Sequence, residues 1–283
     1  MFDSWVFYTV SFVFLQVAFL QLFKLSTKKS QDSGALTVIV QVFSALFALL
    51  LSPLFPWTWP SDWKVWLLLG AALIFYAGAD RLNATARKHL DISVESMLQQ
   101  VWKLLFLISG IIFLHRSFTW LKLLGGVIIV LANISLFFER GKFKLTRYAL
   151  LKLIAVLCFT AAMTLDVANS EKFNLPFYVF ISFFGPALIL FVAGQAKPVK
   201  ILQELKGGHI AAIILCALCN GFGAVAILYA YQLEYFMAAA VSSVYVIVNV
   251  FFSYVFLNEK KDLAKKIIAA VVIAAGLMLT TLG

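Results

Sequence analysis

The sequence contains few charged residues. They make up 13% of its 283 residues, whereas a soluble domain carries about 25%. Hydrophobic residues account for 63% of the chain. This composition excludes a water-soluble globular protein.

Cysteine is also scarce, and the three present, Cys158, Cys216 and Cys219, all lie in apolar stretches. A thiol in such a place behaves as a small hydrophobic group. Cys216 and Cys219 form a C-x-x-C motif, but no second pair and no nearby histidine completes a zinc site. The motif therefore favours packing between helices over metal binding.

No catalytic or nucleotide-binding motif stands out. The three histidines, His89, His115 and His209, share no spacing with acidic residues, so no metal or catalytic constellation is predicted. Nothing resembles a P-loop, so no activity driven by ATP is predicted. We expect a protein that is not an enzyme and that needs no cofactor.

Long apolar runs dominate the chain. A helix needs about 20 mostly apolar residues to cross a bilayer, and a closed barrel would show shorter segments of alternating polarity. Hydropathy and turn residues predict ten membrane-spanning helices, at about 5–23, 34–54, 63–82, 93–114, 119–138, 148–168, 175–194, 209–231, 236–257 and 265–282. The predicted fold class is therefore an all-α polytopic membrane protein.

The two halves of the sequence align weakly with each other. An offset of 143 places Leu90 on Leu233, Val101 on Val244, Trp102 on Tyr245 and Lys122 on Lys265. An odd number of spans in each half makes the two copies enter the membrane from opposite sides, as in many transporters. We predict two inverted five-helix repeats, 1–140 and 141–283, within one integrated transmembrane domain.

The end of each half resembles the drug/metabolite transporter superfamily, in particular its ten-helix EamA-like members. These members close each half with a span, a short turn of Gly-Glu type and a glycine-containing final span. The second half reads Phe256-Leu257-Asn258-Glu259-Lys260-Lys261, followed by 267–276, and the first reads Phe113-Leu114-His115-Arg116, followed by Leu123-Leu124-Gly125-Gly126. Two departures are Arg116 in place of the acidic residue and Lys103 in place of a common proline. The resemblance implies a metabolite transporter, with export as the favoured direction.

The basic residues are distributed unevenly between the predicted loops. Most of the 23 lysine and arginine residues fall in odd-numbered loops, which the positive-inside rule places in the cytoplasm. We therefore expect a multi-pass protein of the plasma (inner) membrane with both termini outside, although ten-helix family members usually have both termini inside. Since the net charge of +10 is spread over five short loops, it does not indicate nucleic-acid binding.

Lys103 is the main candidate for substrate binding. It lies in the middle of the fourth predicted span, where a charged residue costs about 2.5–3.5 kcal/mol on insertion scales. Ser96, Gln99 or Gln100, and Lys103 recur at helical spacing and predict one polar stripe. We expect the stripe to face a central cavity, with the ammonium group binding an anion. The alternative is that Lys103 snorkels or pairs with an aspartate to stabilise packing.

The matching ninth span carries a similar pattern. Ser242, Tyr245, Asn249 and Ser253 follow the same spacing. Small polar residues also hold membrane helices together, so cavity lining and helix contact are equal alternatives for Ser242 and Ser253. The larger Tyr245 and Asn249 favour the cavity.

Four further polar residues lie within predicted spans. Tyr76 and Asn220 are added to the substrate-binding candidates. Asp80 and Asp166 are candidates for proton coupling, because a carboxyl group in low dielectric takes up a proton more readily. The alternative for both aspartates is an interfacial carboxylate that water still reaches.

The leading functional hypothesis is a secondary transporter of a small metabolite, first of all an amino acid or another carboxylate-bearing solute, working by alternating access. A second hypothesis keeps the fold and changes the substrate to a lipid-linked or quaternary-ammonium compound. A channel and a membrane-embedded enzyme are weaker alternatives. The expected partners are the lipid bilayer and the solute, and the chain is expected to be a monomer or a homodimer.

Overall fold

Every described element is helical except a small two-stranded ribbon. The computed structural model describes residues 4–30, 32–102, 105, 119–136, 138–139, 142–143, 146–194, 196–234, 238, 241–242, 244–258 and 262–282. The helices of the first half are α1 (Trp5–Lys29), α2 (Ser33–Leu49), α3 (Trp63–His89), α4 (Ile92–Gln99) and α5 (Trp120–Leu136). The antiparallel strands β1 (Phe138–Glu139) and β2 (Lys142–Phe143) follow. The second half contains α6 (Arg147–Asn169), α7 (Leu175–Val192), α8 (Pro198–Leu205), α9 (Ile210–Leu233), α10 (Tyr245–Leu257) and α11 (Leu263–Leu282).

The helices agree with the predicted spans in part. Among the described residues, six helical segments are long and apolar enough to cross a membrane, and Tyr245–Leu257 is a shorter apolar helix. The six belong to α1, α2, α3, α6, α7 and α9. The described portion of the fourth span is short, because much of 103–118 lies outside the described residues. The all-helical fold is therefore confirmed, and the arrangement as ten spans in inverted repeats stays a prediction.

Two sequence-based assignments need correction. The short helix α8 occupies a segment predicted to be a loop, and it begins with Pro198, which fits the first turn of a helix because its missing N–H has no partner to lose there. Lys24 and Lys152 were counted as loop residues, yet they lie inside α1 and α6 and are buried. Their charges are satisfied within the protein, so they carry no information about which side a loop occupies.

Side-chain caps begin several of the helices. The Asp32 carboxylate accepts hydrogen bonds from the amides of Gly34 and Ala35 at the start of α2, and Thr146 accepts one from Ala149 at the start of α6. Such caps satisfy amides that have no partner inside the helix. The polar residues between apolar runs thus fix where these helices begin.

Asn174 caps α7 and also fastens the proline-rich loop before α3. Its side-chain oxygen accepts from the Phe177 amide, while its side-chain nitrogen donates to the carbonyl groups of Ser52, Phe55 and Pro56. The side chain is fully buried. One amide group therefore connects the first half of the chain to the second at this end of the bundle.

Helices of one half pack mainly on helices of the other. α1 packs along α9, and α3 packs along α6 in the same manner; α2 packs on α7 and α5 packs on α11. α1 and α3 are the first and third spans of the first half, and α6 and α9 are the first and third spans of the second half. The first span of each half therefore contacts the third span of the other. The core is thus shared between the halves.

Glycine permits two of these contacts to be very close. A Cβ added at Gly276 on α11 would lie 2.9 Å from the carbonyl oxygen of Gly125 on α5. A Cβ at Gly221 on α9 would lie 2.4 Å from the carbonyl oxygen of Ser44 on α2 and 3.2 Å from the Ala48 nitrogen. Small residues at such crossings let helix backbones approach in membranes.

We expect Gly221→Ala to destabilise the protein, by about 1–3 kcal/mol as in other overpacked contacts, because the new methyl group meets backbone atoms that cannot rotate away. The measurement is thermal unfolding of the purified protein in detergent. Gly70→Ala is the matched control, since no atom lies within 4 Å of a Cβ at that position. Equal melting temperatures for the two variants would contradict the assigned α2–α9 contact.

Candidate functional site: a polar cavity between the two halves

A cavity lies between helices of both halves. The cavity has a volume of about 230 Å³. Its wall is mostly apolar with a few polar side chains, as is usual for sites that bind small molecules. The polar and aromatic residues of the wall are Phe12, Gln16, Phe19, Phe23, Thr37, Gln41, Tyr76, Asp80, Asn83, Arg87, Glu95, Gln99, Trp102, Phe159, Asp166, Ser182, Phe183, Asn220, Tyr231, Ser242 and Tyr245.

The described part of the fourth span contributes to the cavity wall. Glu95, Gln99 and Trp102 line its wall, and their spacing of four and three residues places them on one helix face. Gln100 lies next to this face and is fully buried. Of the predicted stripe, Gln99 lies on this face.

Glu95 is the centre of a buried ion cluster. It is 1% exposed and accepts two hydrogen bonds of 2.9 Å from the Arg87 guanidinium group, one to each carboxylate oxygen. This two-point geometry is the strongest form of an arginine–carboxylate pair. The guanidinium carbon of Arg87 also lies 4.7 Å from the centre of the Phe23 ring, so the cation contacts an aromatic face as well.

Lys152 of the second half completes the ion cluster. It is fully buried, and its Nζ lies 2.7 Å from Glu95 Oε1, 2.7 Å from Asn83 Oδ1 and 2.6 Å from Gln99 Oε1. An ammonium group has three N–H donors, so every donor of Lys152 has an acceptor. Lys152 on α6 thus connects to Asn83 on α3 and to Glu95 and Gln99 on α4, which joins the second half of the chain to the first.

Two further lysines fasten the junction between α3 and α4. The Lys24 ammonium group donates to the carbonyl groups of Arg87 and Leu90, where the carbonyl end of a helix favours a cation. Lys266 of α11 pairs with Asp91 at 2.7 Å. Since Lys266 and Lys152 both come from the second half, contacts between the halves lie at this junction.

Asp80 lies one helical turn beyond Tyr76 on α3 and also lines the cavity. Its Oδ2 accepts a hydrogen bond of 2.7 Å from the side-chain amide of Gln41 on α2. Arg87 and Lys152 both interact with it electrostatically. Asp80 therefore lies within the electrostatic influence of both cations, and among the described residues it forms no ion pair with them.

Asp166 occupies a different environment. The Tyr76 hydroxyl donates to Asp166 Oδ2 and the Tyr178 hydroxyl donates to Asp166 Oδ1, each at 2.5 Å. Each oxygen of the Asp166 carboxyl group therefore has one hydroxyl donor. Asp166 is 2% exposed, and among the residues that the structure describes no lysine, arginine or histidine forms an ion pair with it.

Aromatic rings extend the wall from Asp166 toward α4. The ring centroid of Phe159 lies 5.8 Å from that of Tyr76 and 5.4 Å from that of Trp102, with edge-to-face geometry in both pairs. Such contacts are favourable for aromatic side chains. They form a continuous apolar surface beside the carboxyl groups.

The cavity brings together many of the candidates named from the sequence. Tyr76, Asp80, Gln99, Asp166, Asn220 and Tyr245 all line it. The structure places Asp80 and Asp166 beside this common space, on α3 and α6. Lys103 lies outside the described residues, and so does the side chain of Ser96.

Gln100 and Asn249 make contacts between helices instead of lining the cavity. The Gln100 side-chain amide donates to the Tyr245 hydroxyl at 2.6 Å. The Gln21 side-chain amide on α1 donates to Asn249 Oδ1 at 2.8 Å and to Ser253 Oγ at 2.9 Å. These bonds correspond to the alternative in which polar residues hold membrane helices together.

Sequence reasoning missed Glu95, Arg87, Lys152, Gln41 and Tyr178. Glu95 could have been found, because it is a carboxylate inside a predicted span and such residues require a partner. Arg87 and Lys152 lie near predicted span ends, where a basic residue ordinarily indicates a loop or the membrane interface. Their burial follows from the position of Glu95, which only the folded chain reveals.

One protein-family model matches the second half of the chain. The model of the EamA-like transporter family matches residues 146–282. This match confirms the resemblance to the drug/metabolite transporter superfamily. The family and the apolar helices together indicate a multi-pass membrane transporter.

The structural comparison finds a solved structure with a similar fold. A crystal structure of another protein superimposes with a TM-score of 0.68 at 13% sequence identity, over 99% of this chain and 96% of that chain. At this identity the likeness concerns the fold alone. No curated protein matches the sequence.

We expect Lys152→Met to destabilise the protein strongly, by about 3–5 kcal/mol, because it leaves the buried Glu95 and Arg87 without their third partner. The measurement is chemical or thermal unfolding in detergent micelles. Lys172→Met, at an exposed position, is the control and should change stability little. An unfolding free energy for Lys152→Met equal to that of the control would show that the ion cluster does not support the fold.

Proposed function

We propose that the protein is a secondary transporter that moves a small organic metabolite, such as an amino acid, across the plasma (inner) membrane by alternating access, with export as the expected direction. The observation that carries the proposal is the cavity between the halves, whose wall contains ionisable and aromatic side chains from both. The match to the EamA-like family supports it. In transporters, binding sites lie between repeats near the middle of the bilayer.

We further propose two inverted five-helix repeats, 1–140 and 141–283, that rock around this cavity. The exchange of packing partners, α1 with α9 and α3 with α6, is what a two-fold axis in the membrane plane would produce. In addition, the amide of Gln100 bonds to the Met97 carbonyl and the amide of Val244 bonds to the Val241 carbonyl. In both spans the backbone thus forms a hydrogen bond over three residues, as in a 3-10 turn. The two turns lie one residue away from exact correspondence under the offset of 143.

The ion cluster provides the closed end in this proposal. Contacts of Glu95 with Lys152, and of Asp91 with Lys266, connect the halves at one end of the cavity. Opening at that end would separate these pairs. A cluster that can form and break gives the two discrete arrangements that alternating access requires.

The proposed substrate-binding residues are those named from the sequence. Gln99, Asn220, Tyr76 and Tyr245 are supported by their place in the cavity wall. Lys103 and Ser96 are proposed to bind substrate because of their spacing in the sequence. Gln100 would act by positioning Tyr245, and Asn249 would act through its bond to Gln21. Asp80 and Asp166 are the proposed sites of proton coupling.

A transport assay tests the function. We expect purified protein in proteoliposomes to show saturable uptake and counter-transport of at least one member of a panel of amino acids, with no requirement for ATP. Lys103→Met should reduce the rate about tenfold or more, because it removes a charged contact with the substrate. Lys172→Met is the matched control, and Lys103→Met transport at the wild-type rate would remove Lys103 from the binding site.

Proton coupling has a separate test. We expect Asp80→Asn to abolish the stimulation of transport by an imposed proton gradient and to leave counter-transport of labelled against unlabelled solute measurable, because exchange needs no net proton movement. Glu171→Gln, an exposed carboxyl group, is the control. Unchanged gradient stimulation in Asp80→Asn would leave Asp166 as the remaining candidate.

A further inference from the structure

We propose that Asp166, with Tyr76 and Tyr178, forms the subsite that binds a protonated primary or secondary amine of the transported solute. This inference deepens the proposed function and rests on it, since it names the chemical group that the cavity selects. It also assigns different roles to the two aspartates of the cavity. Asp80 lies beside the ion cluster, and Asp166 contacts the solute.

The charge distribution carries the first step. Glu95 has two cations within hydrogen-bonding distance. Asp80 is half-buried, bonds to Gln41 and lies within the electrostatic influence of the same two cations. Asp166 is as buried as Glu95 but has no ion-pair partner in the part of the chain that the structure describes. A buried carboxylate is costly unless a cation pairs with it. A cationic ligand would supply that missing partner.

The hydrogen bonds carry the second step. Each oxygen of Asp166 accepts one tyrosine hydroxyl, and an ionised carboxylate has about four acceptor positions. Two positions are therefore left for a ligand that donates N–H bonds. A primary or secondary ammonium group has such donors, whereas a quaternary ammonium group has none.

The rings next to the subsite carry the third step. Tyr76 contacts Phe159, and Phe159 contacts Trp102 across the cavity wall. An ammonium group at Asp166 would sit beside the Tyr76 ring, which attracts a cation. The carbon skeleton of the solute would then lie along Phe159 and Trp102 and exclude water from the pair.

This geometry sets a preference among solutes. A simple carboxylate would be repelled by Asp166 and gains nothing from the aromatic wall. An amino acid is compatible, because its ammonium group would bind at Asp166 and its carboxylate would point elsewhere in the cavity. Amines without a carboxylate are included in the predicted class.

Binding to the purified protein in lipid nanodiscs tests the proposal without requiring transport. The probes are methylamine, 2-phenylethylamine, its N,N,N-trimethyl analogue and phenylacetate, followed by calorimetry. We expect 2-phenylethylamine to bind best and both the trimethyl analogue and phenylacetate to bind at least about tenfold more weakly. Asp166→Asn should weaken 2-phenylethylamine binding about tenfold or more, and Glu171→Gln should leave it unchanged.

Tyr178→Phe provides a second variant in case Asp166→Asn fails to fold. It keeps the charge and removes one hydroxyl donor, so we expect a smaller loss of amine affinity, about threefold to tenfold. Stronger binding of phenylacetate than of either amine would overturn the proposal, as would failure of both amines to bind the wild-type protein. Full affinity in folded Asp166→Asn would also overturn it. Amine binding that depends on Asp166 without any transport would refute the proposed function and leave the subsite in place.

Discussion

A charge buried in a membrane protein needs a partner, and the ion cluster around Glu95 shows how this need organises the molecule. Water is absent from the hydrocarbon region, so an unpaired ion or backbone group there is costly. Arg87 and Glu95 come from the first half, and Lys152 comes from the second. Once these groups are buried, α3, α4 and α6 can be arranged in few ways, because every donor of Lys152 must find an acceptor.

The same requirement separates the polar contacts into two kinds. Gln21, Asn249 and Ser253 satisfy one another between α1 and α10, and the Asn174 side-chain nitrogen satisfies three carbonyl groups of one loop. These bonds connect helices and loops of the fold to one another. Asp166 instead lines the cavity and accepts two tyrosine hydroxyl groups. For this reason we propose Asp166, and not the helix-to-helix contacts, as a group that binds solute.

The sequence was sufficient for features that depend on long apolar runs. The helical class and the approximate positions of α1, α2, α3, α6, α7 and α9 follow from hydropathy, and helical spacing predicted a polar face that includes Gln99. The sequence left Asp166 open between proton coupling and an interfacial carboxylate, and its place in the cavity wall comes from the folded chain. Positions near helix ends were harder. Arg87 and Lys152 have the same sequence context as loop cations, and only the partner Glu95 shows that they point inward. The short helix α8 was missed because its basic residues and proline resemble a loop.

The packing of α1 on α9 and of α3 on α6 has a consequence for synthesis in the cell. The first half is synthesised and enters the bilayer before α6 and α9. During that time Glu95 lacks Lys152 as a partner, and the α2 backbone at Ser44 and Ala48 lacks its contact with Gly221. During this interval the insertion machinery or a membrane chaperone must shield the unfinished surfaces. Because the core forms only when both halves have arrived, a ribosome that stops at mid-chain would leave a product suited to degradation, and quality control could recognise it by its unpaired charge.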